Sequence, residues 1–185
     1  MKLICPICGM EINDNNYNFN AVTFDNQNSL NNVLHCPFCG VESKYLTISD
    51  NFYHIDITKL GSEAIRVIDH AVKLEMFNGD FYQAAFEKSK DINVKNLFKS
   101  LSRVEYIHAR IHQKLGGFEK LPQLTKLDYS RLNTDELLLR EAEIREEHAV
   151  QYYETNYNKI KSDEIRLMFK ALCEVEKGHI LVITK

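Results

Sequence analysis

The 185-residue chain holds only three prolines, Pro6, Pro37 and Pro122, and none falls in the stretches with helical periodicity, so nothing there breaks a long helix. It has no apolar run approaching the roughly 18 residues of a membrane span. Met1-Lys-Leu-Ile-Cys opens directly into a cysteine motif with no hydrophobic leader. No membrane partner is expected, and a cytoplasmic location is. A basic excess is lacking too: residues 1–50 carry two lysines against five acidic side chains, and residues 51–185 carry 21 basic and 21 acidic ones. Neither part has the positive footprint that phosphate contacts need, so no nucleic-acid partner is expected. Cysteines outside short motifs are almost absent. Four of the five sit in two Cys-x-x-Cys pairs, which in a reducing compartment read as metal ligands and not as disulfides.

What is present is a metal-ligand pattern that occurs twice. Glu75, Glu105 and His108 recur 71 residues later as Glu146, Glu176 and His179, with every spacing preserved. Sliding residues 71–108 onto 142–179 without a gap gives 11 identities in 38, among them Ala71/Ala142, Tyr82/Tyr153, Phe98/Phe169 and Val104/Val175. Composition alone would give roughly 2. Glu and His three apart share one helix face, about one turn apart, so each Glu-x-x-His can present two ligands together. With one further Glu from each of two other helices, the set is four carboxylates and two imidazoles, suited to two iron or manganese ions in a four-helix bundle.

A single Glu-x-x-His on an amphipathic helix is usually a solvated face. Here Val104, Ile107 and Ile111 flank the first motif, and Leu172, Val175, Ile180 and Ile183 flank the second, which puts acid and imidazole on or beside the buried stripe. Buried carboxylates without partners cost several kcal/mol each. A pair of cations is the simplest account of four of them.

The chain divides into residues 1–50, a connector at 51–60, and residues 61–185. The first part is rich in Asn and has no helical period; Phe19, Val22 and Phe24, then Tyr45, Thr47 and Ile48, suggest short strands and turns. Alternation of Tyr53, Ile55 and Ile57 against His54 and Asp56 predicts a last strand running into the connector. Four helices are predicted at about 61–90, 92–116, 134–161 and 163–183. Asp91 and Ser162 stand at N-cap positions, Thr134 starts the third helix, and Gly116-Gly117 stops the second. The long stretch from Gly117 to Asn133 would cross from one helical hairpin to the other. Asn78-Gly79 inside the first helix is unfavourable by about 1 kcal/mol; it reads as a close backbone approach or a bulge near Glu75, or as a tolerated surface defect.

Cys5-Pro-Ile-Cys8-Gly and Cys36-Pro-Phe-Cys39-Gly are two knuckles of the same form. Two residues between thiolates let backbone amides turn toward sulfur, and the following Gly permits a left-handed turn, so the pair predicts a tetrahedral four-cysteine site. Four thiolates suit zinc, which would be structural, or iron, which would relay electrons. Cys173 reads as a small buried apolar residue of the fourth helix.

The doubled Glu-(x6)-Tyr followed by Glu-x-x-His resembles the rubrerythrins. A four-cysteine segment placed before the bundle resembles their "reverse" members. The resemblance spans nearly the whole chain. It implies an all-α ferritin-like four-helix bundle preceded by a small β-rich, rubredoxin-like or zinc-ribbon domain. It also implies a non-haem di-iron peroxidase that reduces hydrogen peroxide to water, in oxidative-stress defence, with electrons passed through the thiolate-bound iron from a donor protein or reductase. By position, Glu75, Glu105, His108, Glu146, Glu176 and His179 match the ligands of two Fe ions, and Tyr82 and Tyr153 match tyrosines beside that centre. Three departures stand out. Ala149 occupies the position of an additional ligand Glu, with Glu143 and Glu147 as imperfect substitutes. Met10 and Glu11 follow the first knuckle where rubredoxin has an aromatic, and there is no Trp. The fourth helix ends about six residues after His179.

His70, His112 and His148 lie outside the six-ligand set and read as surface residues or as supports behind the ligands. A small cysteine domain on a short connector is not expected to reach its own bundle's site. Together with the resemblance, this predicts a symmetric homodimer in which each cysteine domain serves its partner. Two other functions remain open: a zinc-ribbon binding or structural protein whose bundle does no redox chemistry, and a ferritin-like protein that oxidises iron with oxygen.

Overall fold

The computed structural model describes residues 2–48 and 56–185. The helical period of the sequence becomes four helices: α1 (Ser62–Lys88), α2 (Ile92–Gly116), α3 (Asp135–Asn156) and α4 (Asp163–Ile183). The starts of α2, α3 and α4 are set by side chains that satisfy otherwise unpaired amides. Asp91 accepts from Asn93 N and Val94 N, Thr134 from Leu137 N, and Ser162 from Ile165 N. At the other end of α2, Gly117 adopts φ 65° and its amide bonds back to Lys114 and Gln113. The third helix stops earlier than its sequence period suggests. Its last residues form a short 3-10 turn, Tyr157–Lys159, that reverses the chain into α4.

Helix α1 packs along α2, and α3 along α4, with the segment 117–134 joining the two hairpins. Tyr129 of that crossover lies edge-on to Phe81, and both rings, with Phe77, surround the buried Arg145 guanidinium. The Asn78-Gly79 pair marks a close approach: a Cβ on Gly79 would lie 2.8 Å from the Tyr106 ring, and the Gly79 carbonyl accepts from Ser102 Oγ.

The N-terminal region departs from the strand expectation. Its described strands are β1 (Lys2–Ile4) and β2 (Glu11–Asn13), antiparallel with Leu3 opposite Ile12. Ala21–Thr23 and Ser43–Tyr45 are single 3-10 turns, and Thr47 joins Ile4 only as an isolated bridge. Around 21–24 and 43–46 the amides bond back along the chain in turns, and at Tyr17, Leu34 and His35 a short amide side chain competes with ladder bonds for backbone groups. Asn28 alone donates to the Tyr17 and His35 carbonyls and accepts from the Leu34 and His35 amides. The strand expected through Tyr53 and Ile55 lies outside the described residues. Ile57, its last member, sits in a 3-10 turn capped by Asp56.

Two hydrophobic clusters flank the middle of the bundle. One is continuous from the cysteine region (Ile12, Phe38, Val41) into Ile111, Leu172 and Val175 and includes Tyr153. The other gathers Phe81, Tyr82, Phe98, Leu138 and Ile183.

Candidate metal centres

Both cysteine knuckles have the same local geometry. Gly9 and Gly40 sit at φ 80° and 81°, a region costly for residues with a Cβ. Gly9 N donates to Cys5 O and Gly40 N to Cys36 O, while Cys5 N and Cys36 N close back onto Met10 O and Val41 O. The turns bring four sulfurs together, with Cys5–Cys39 and Cys8–Cys36 each 3.7 Å apart. That is too long for a disulfide, whose sulfurs stand about 2.05 Å apart. It matches the edge of a tetrahedron with metal–sulfur bonds of about 2.3 Å. Burial pushes the Cys36 and Cys39 thiols up, so deprotonating all four in one pocket requires a cation. The donor set fits a thiophilic ion, zinc or iron.

The second cluster is assembled from all four helices. Glu75 comes from α1, Glu105 and His108 from α2, Glu146 from α3, and Glu176 and His179 from α4; all six are fully buried. They form two overlapping groups, Glu75–Glu105–His108–Glu176 and Glu105–Glu146–Glu176–His179, each with ligand atoms within 4.8 Å of one another. Glu105 and Glu176 belong to both. His108 Nδ1 lies 3.4 Å from Glu105 and 3.0 Å from Glu176, and His179 Nδ1 lies 3.2, 3.5 and 3.0 Å from Glu105, Glu146 and Glu176. Close as they are, these atoms lack hydrogen-bond alignment. Both oxygens of Glu105 and Glu176, Oε2 of Glu75 and Glu146, and both Nδ1 atoms stay buried without a partner. Orphaned polar atoms are costly to bury. Here they all converge on the same small volume, as ligands do. Two divalent ions would bring four positive charges to four carboxylates.

Electrostatics point the same way. Burial, then the charges of Glu176 and Glu105, holds the Glu75 carboxyl far above its usual range; burial and Glu105 push Glu146 up to about 8. Burial alone would lower His108 and His179, but the carboxylates around them outweigh it and hold both imidazoles well above their ordinary value. Protons held by such a cluster are those a metal displaces.

The tyrosines cross between the repeats. Tyr82 of α1 donates its hydroxyl to Glu146 Oε1 of α3, and Tyr153 of α3 donates to Glu75 Oε1 of α1. Each tyrosine occupies one carboxylate oxygen and leaves the other free. Behind Tyr153 stands His112, buried, with Nε2 2.7 Å from the hydroxyl. Sequence alone left His112 unassigned; its spacing, one turn beyond His108, was the only signal. His70 and His148 are exposed, and His70 stacks on Tyr152. Ala149 is buried, Glu147 is exposed, and Glu143 lies outside both ligand groups. Cys173 is buried as expected and its thiol is pushed up to about 11 by burial.

The two centres touch. His108 Nε2 lies 2.9 Å from the Cys39 carbonyl oxygen. A carbonyl only accepts, so Nε2 carries the proton and Nδ1 is the nitrogen left for a metal. This close seating depends on Gly40, where a Cβ would fall 2.6 Å from Val175, the neighbour of Glu176.

A bundle that converges Glu and Glu-x-x-His pairs from two helical hairpins on one buried volume defines the ferritin-like carboxylate class of dimetal proteins. The family model for Rubrerythrin matches residues 66–184, and the chain belongs to the rubrerythrin family. No curated protein and no solved structure matches it. Among the described residues, no helix is long and apolar enough to cross a membrane.

Proposed function

We propose that the chain is a rubrerythrin-type peroxidase, in which Glu75, Glu105, His108, Glu146, Glu176 and His179 hold two iron ions and Cys5, Cys8, Cys36 and Cys39 hold a third. The observation that carries this reading is the contact from Cys39 O to His108 Nε2, which joins a thiolate site to a carboxylate site through one hydrogen bond. A purely structural zinc ribbon has no need of such a link, nor of both ligand triplets buried in register.

The reaction is H2O2 + 2 e⁻ + 2 H⁺ → 2 H2O, so the protein must deliver electrons and protons to one place. Bound iron would supply the two electrons and the Lewis acidity that weakens the O–O bond. The chain's own residues do the rest. Glu105 and Glu176, common to both ligand groups, hold the two positions at a short separation. Buried helices exclude bulk water, and the carboxylates balance the ionic charge. Tyr82 and Tyr153 donate their hydroxyl protons in hydrogen bonds to Glu146 Oε1 and Glu75 Oε1, at the margin of the centre, from where each can be passed inward. Cys39 and His108 carry electrons from the thiolate site, which a donor protein or reductase would refill.

A homodimer and a cytoplasmic location belong to the same proposal. Reach no longer motivates the dimer, because Cys39 contacts His108 of its own chain. The test is rapid mixing of the fully reduced, iron-loaded protein with hydrogen peroxide and, separately, with oxygen. Peroxide should oxidise the iron faster. Equal or slower oxidation by peroxide would discard the peroxidase in favour of an oxygen-consuming ferritin-like reaction.

A further inference from the structure

The internal repeat makes the two ends of the carboxylate centre comparable residue by residue, and they are not alike. Glu75 is hydrogen-bonded by Tyr153, and Tyr153 by His112 at 2.7 Å. Glu146 is hydrogen-bonded by Tyr82, but the repeat mate of His112 is Ile183, which joins Tyr82 only in an apolar cluster. Each tyrosine does keep the repeat-matched phenylalanine beside it, Phe169 edge-on to Tyr153 and Phe98 stacked on Tyr82. The imidazoles differ in the same sense: His108 Nε2 is held by the Cys39 carbonyl, whereas His179 Nε2 is buried with no partner.

We propose that His112 is a positioning residue that makes the two metal positions unequal, so that the Glu75–His108 position takes a divalent cation before the Glu146–His179 position. This rests on the reading of the bundle core as a two-ion site. Glu75 as a ligand is a carboxylate that accepts from Tyr153 O–H, so the Tyr153 oxygen receives its other hydrogen bond from His112 Nε2–H. That bond stops the hydroxyl from rotating away and keeps Glu75 Oε2 turned inward, where it has no protein partner. Complete burial lowers the pKa of His112 to about 3, so the ring stays neutral and adds no charge opposing the cation. At the opposite end, among the described residues, the Tyr82 hydroxyl has no second hydrogen bond and His179 Nε2 has none to fix its ring. Ordering those groups has to be supplied by the ion itself, which weakens binding there.

The experiment is a Co2+ titration of the full chain, with the four-cysteine site filled beforehand by one equivalent of Zn2+. Two Co2+ ions should bind in separate steps, followed by visible absorption and calorimetry. His108→Ala should abolish the tighter step and His179→Ala should spare it. His112→Ile, which copies the repeat mate, should weaken the first step about 10- to 100-fold, the usual effect of removing a support behind a metal ligand. The second step should be left in place. Tyr153→Phe should give the same loss, the double variant no more, and His112→Gln, which restores an N–H donor, should recover most of it. Two equal steps, or a tighter step lost in His179→Ala and kept in His108→Ala, would overturn the inequality while leaving the two-ion reading intact. So would an unchanged first step in His112→Ile. No Co2+ bound beyond the zinc would overturn both. The two ligand variants decide the order of filling even if His112→Ile does not fold.

Discussion

The cysteine centre and the carboxylate centre are built by opposite strategies. Each cysteine knuckle closes within six residues, through its own backbone bonds and one left-handed glycine, so half of that site forms locally and two copies need only meet. The carboxylate centre takes one or two side chains from each of four helices, and neither of its two groups is complete until both hairpins pack. The first site therefore depends on turns and the second on burial. Shared ligands add a further difference. Removing one cysteine damages one ion's tetrahedron, whereas removing Glu105 or Glu176 strikes both positions at once.

That difference leads to the largest expected effect. Iron-loaded protein carrying Glu105→Ala with Glu176→Ala should lose both bundle ions and keep the thiolate-bound one, as read by metal analysis. Glu75→Ala should lose only one. Retention of both bundle ions in the double variant would show that these carboxylates do not hold them.

Dependence on burial also predicts a pH signature for the carboxylate centre. In the folded, metal-free chain Glu146 binds its proton up to about pH 8, against an ordinary value of 4.5. Between those limits the folded state carries a proton that the unfolded state has released, so stability must fall as pH rises through that window. Glu75, His108 and His179 are raised as well and act in the same sense. Metal-free protein should thus melt at progressively lower temperature from pH 5 to 8, while the stabilisation gained by adding metal grows over the same range. A flat melting profile for the metal-free form would contradict the buried cluster. The thiolate site can be held constant in this comparison by leaving its ion in place.

The smallest effect separates local turn from docking. Gly9 and Gly40 have the same left-handed conformation, but a Cβ on Gly9 meets nothing within 4 Å while one on Gly40 strikes Val175 and Phe24. Gly9→Ala should cost only the backbone term, about 1–2 kcal/mol. Gly40→Ala should cost a further 1–3 kcal/mol or so from overpacking, measured by denaturant unfolding. Equal costs would mean that the cysteine region is not seated on α4.

The clustering of the six buried side chains, the helices and most of their caps were legible because each is periodic or local. Asp91, Thr134 and Ser162 announce helix starts by residue type, and the 71-residue repeat exposes six ligands by coincidence of spacing. The strands misread around Phe19–Phe24 show the limit of that legibility. Alternating apolar residues suggested a ladder, but the amides of Phe19, Ala21, Thr23 and Phe24 each bond to the carbonyl three residues earlier, in turns.

Sequence by itself determined that four carboxylates and two imidazoles would face the inside of a helical bundle, and that four cysteine sulfurs would come together. Both follow from helical geometry and turn geometry, which depend on near neighbours. Only the tertiary structure decided which tyrosine reaches which glutamate, that His112 stands behind Tyr153 while Ile183 stands behind Tyr82, and that Cys39 rests on His108. A hydrophobic period reports the face a residue occupies. It carries no information about which distant face will be pressed against it, and the pairing of those faces sets the character of this centre.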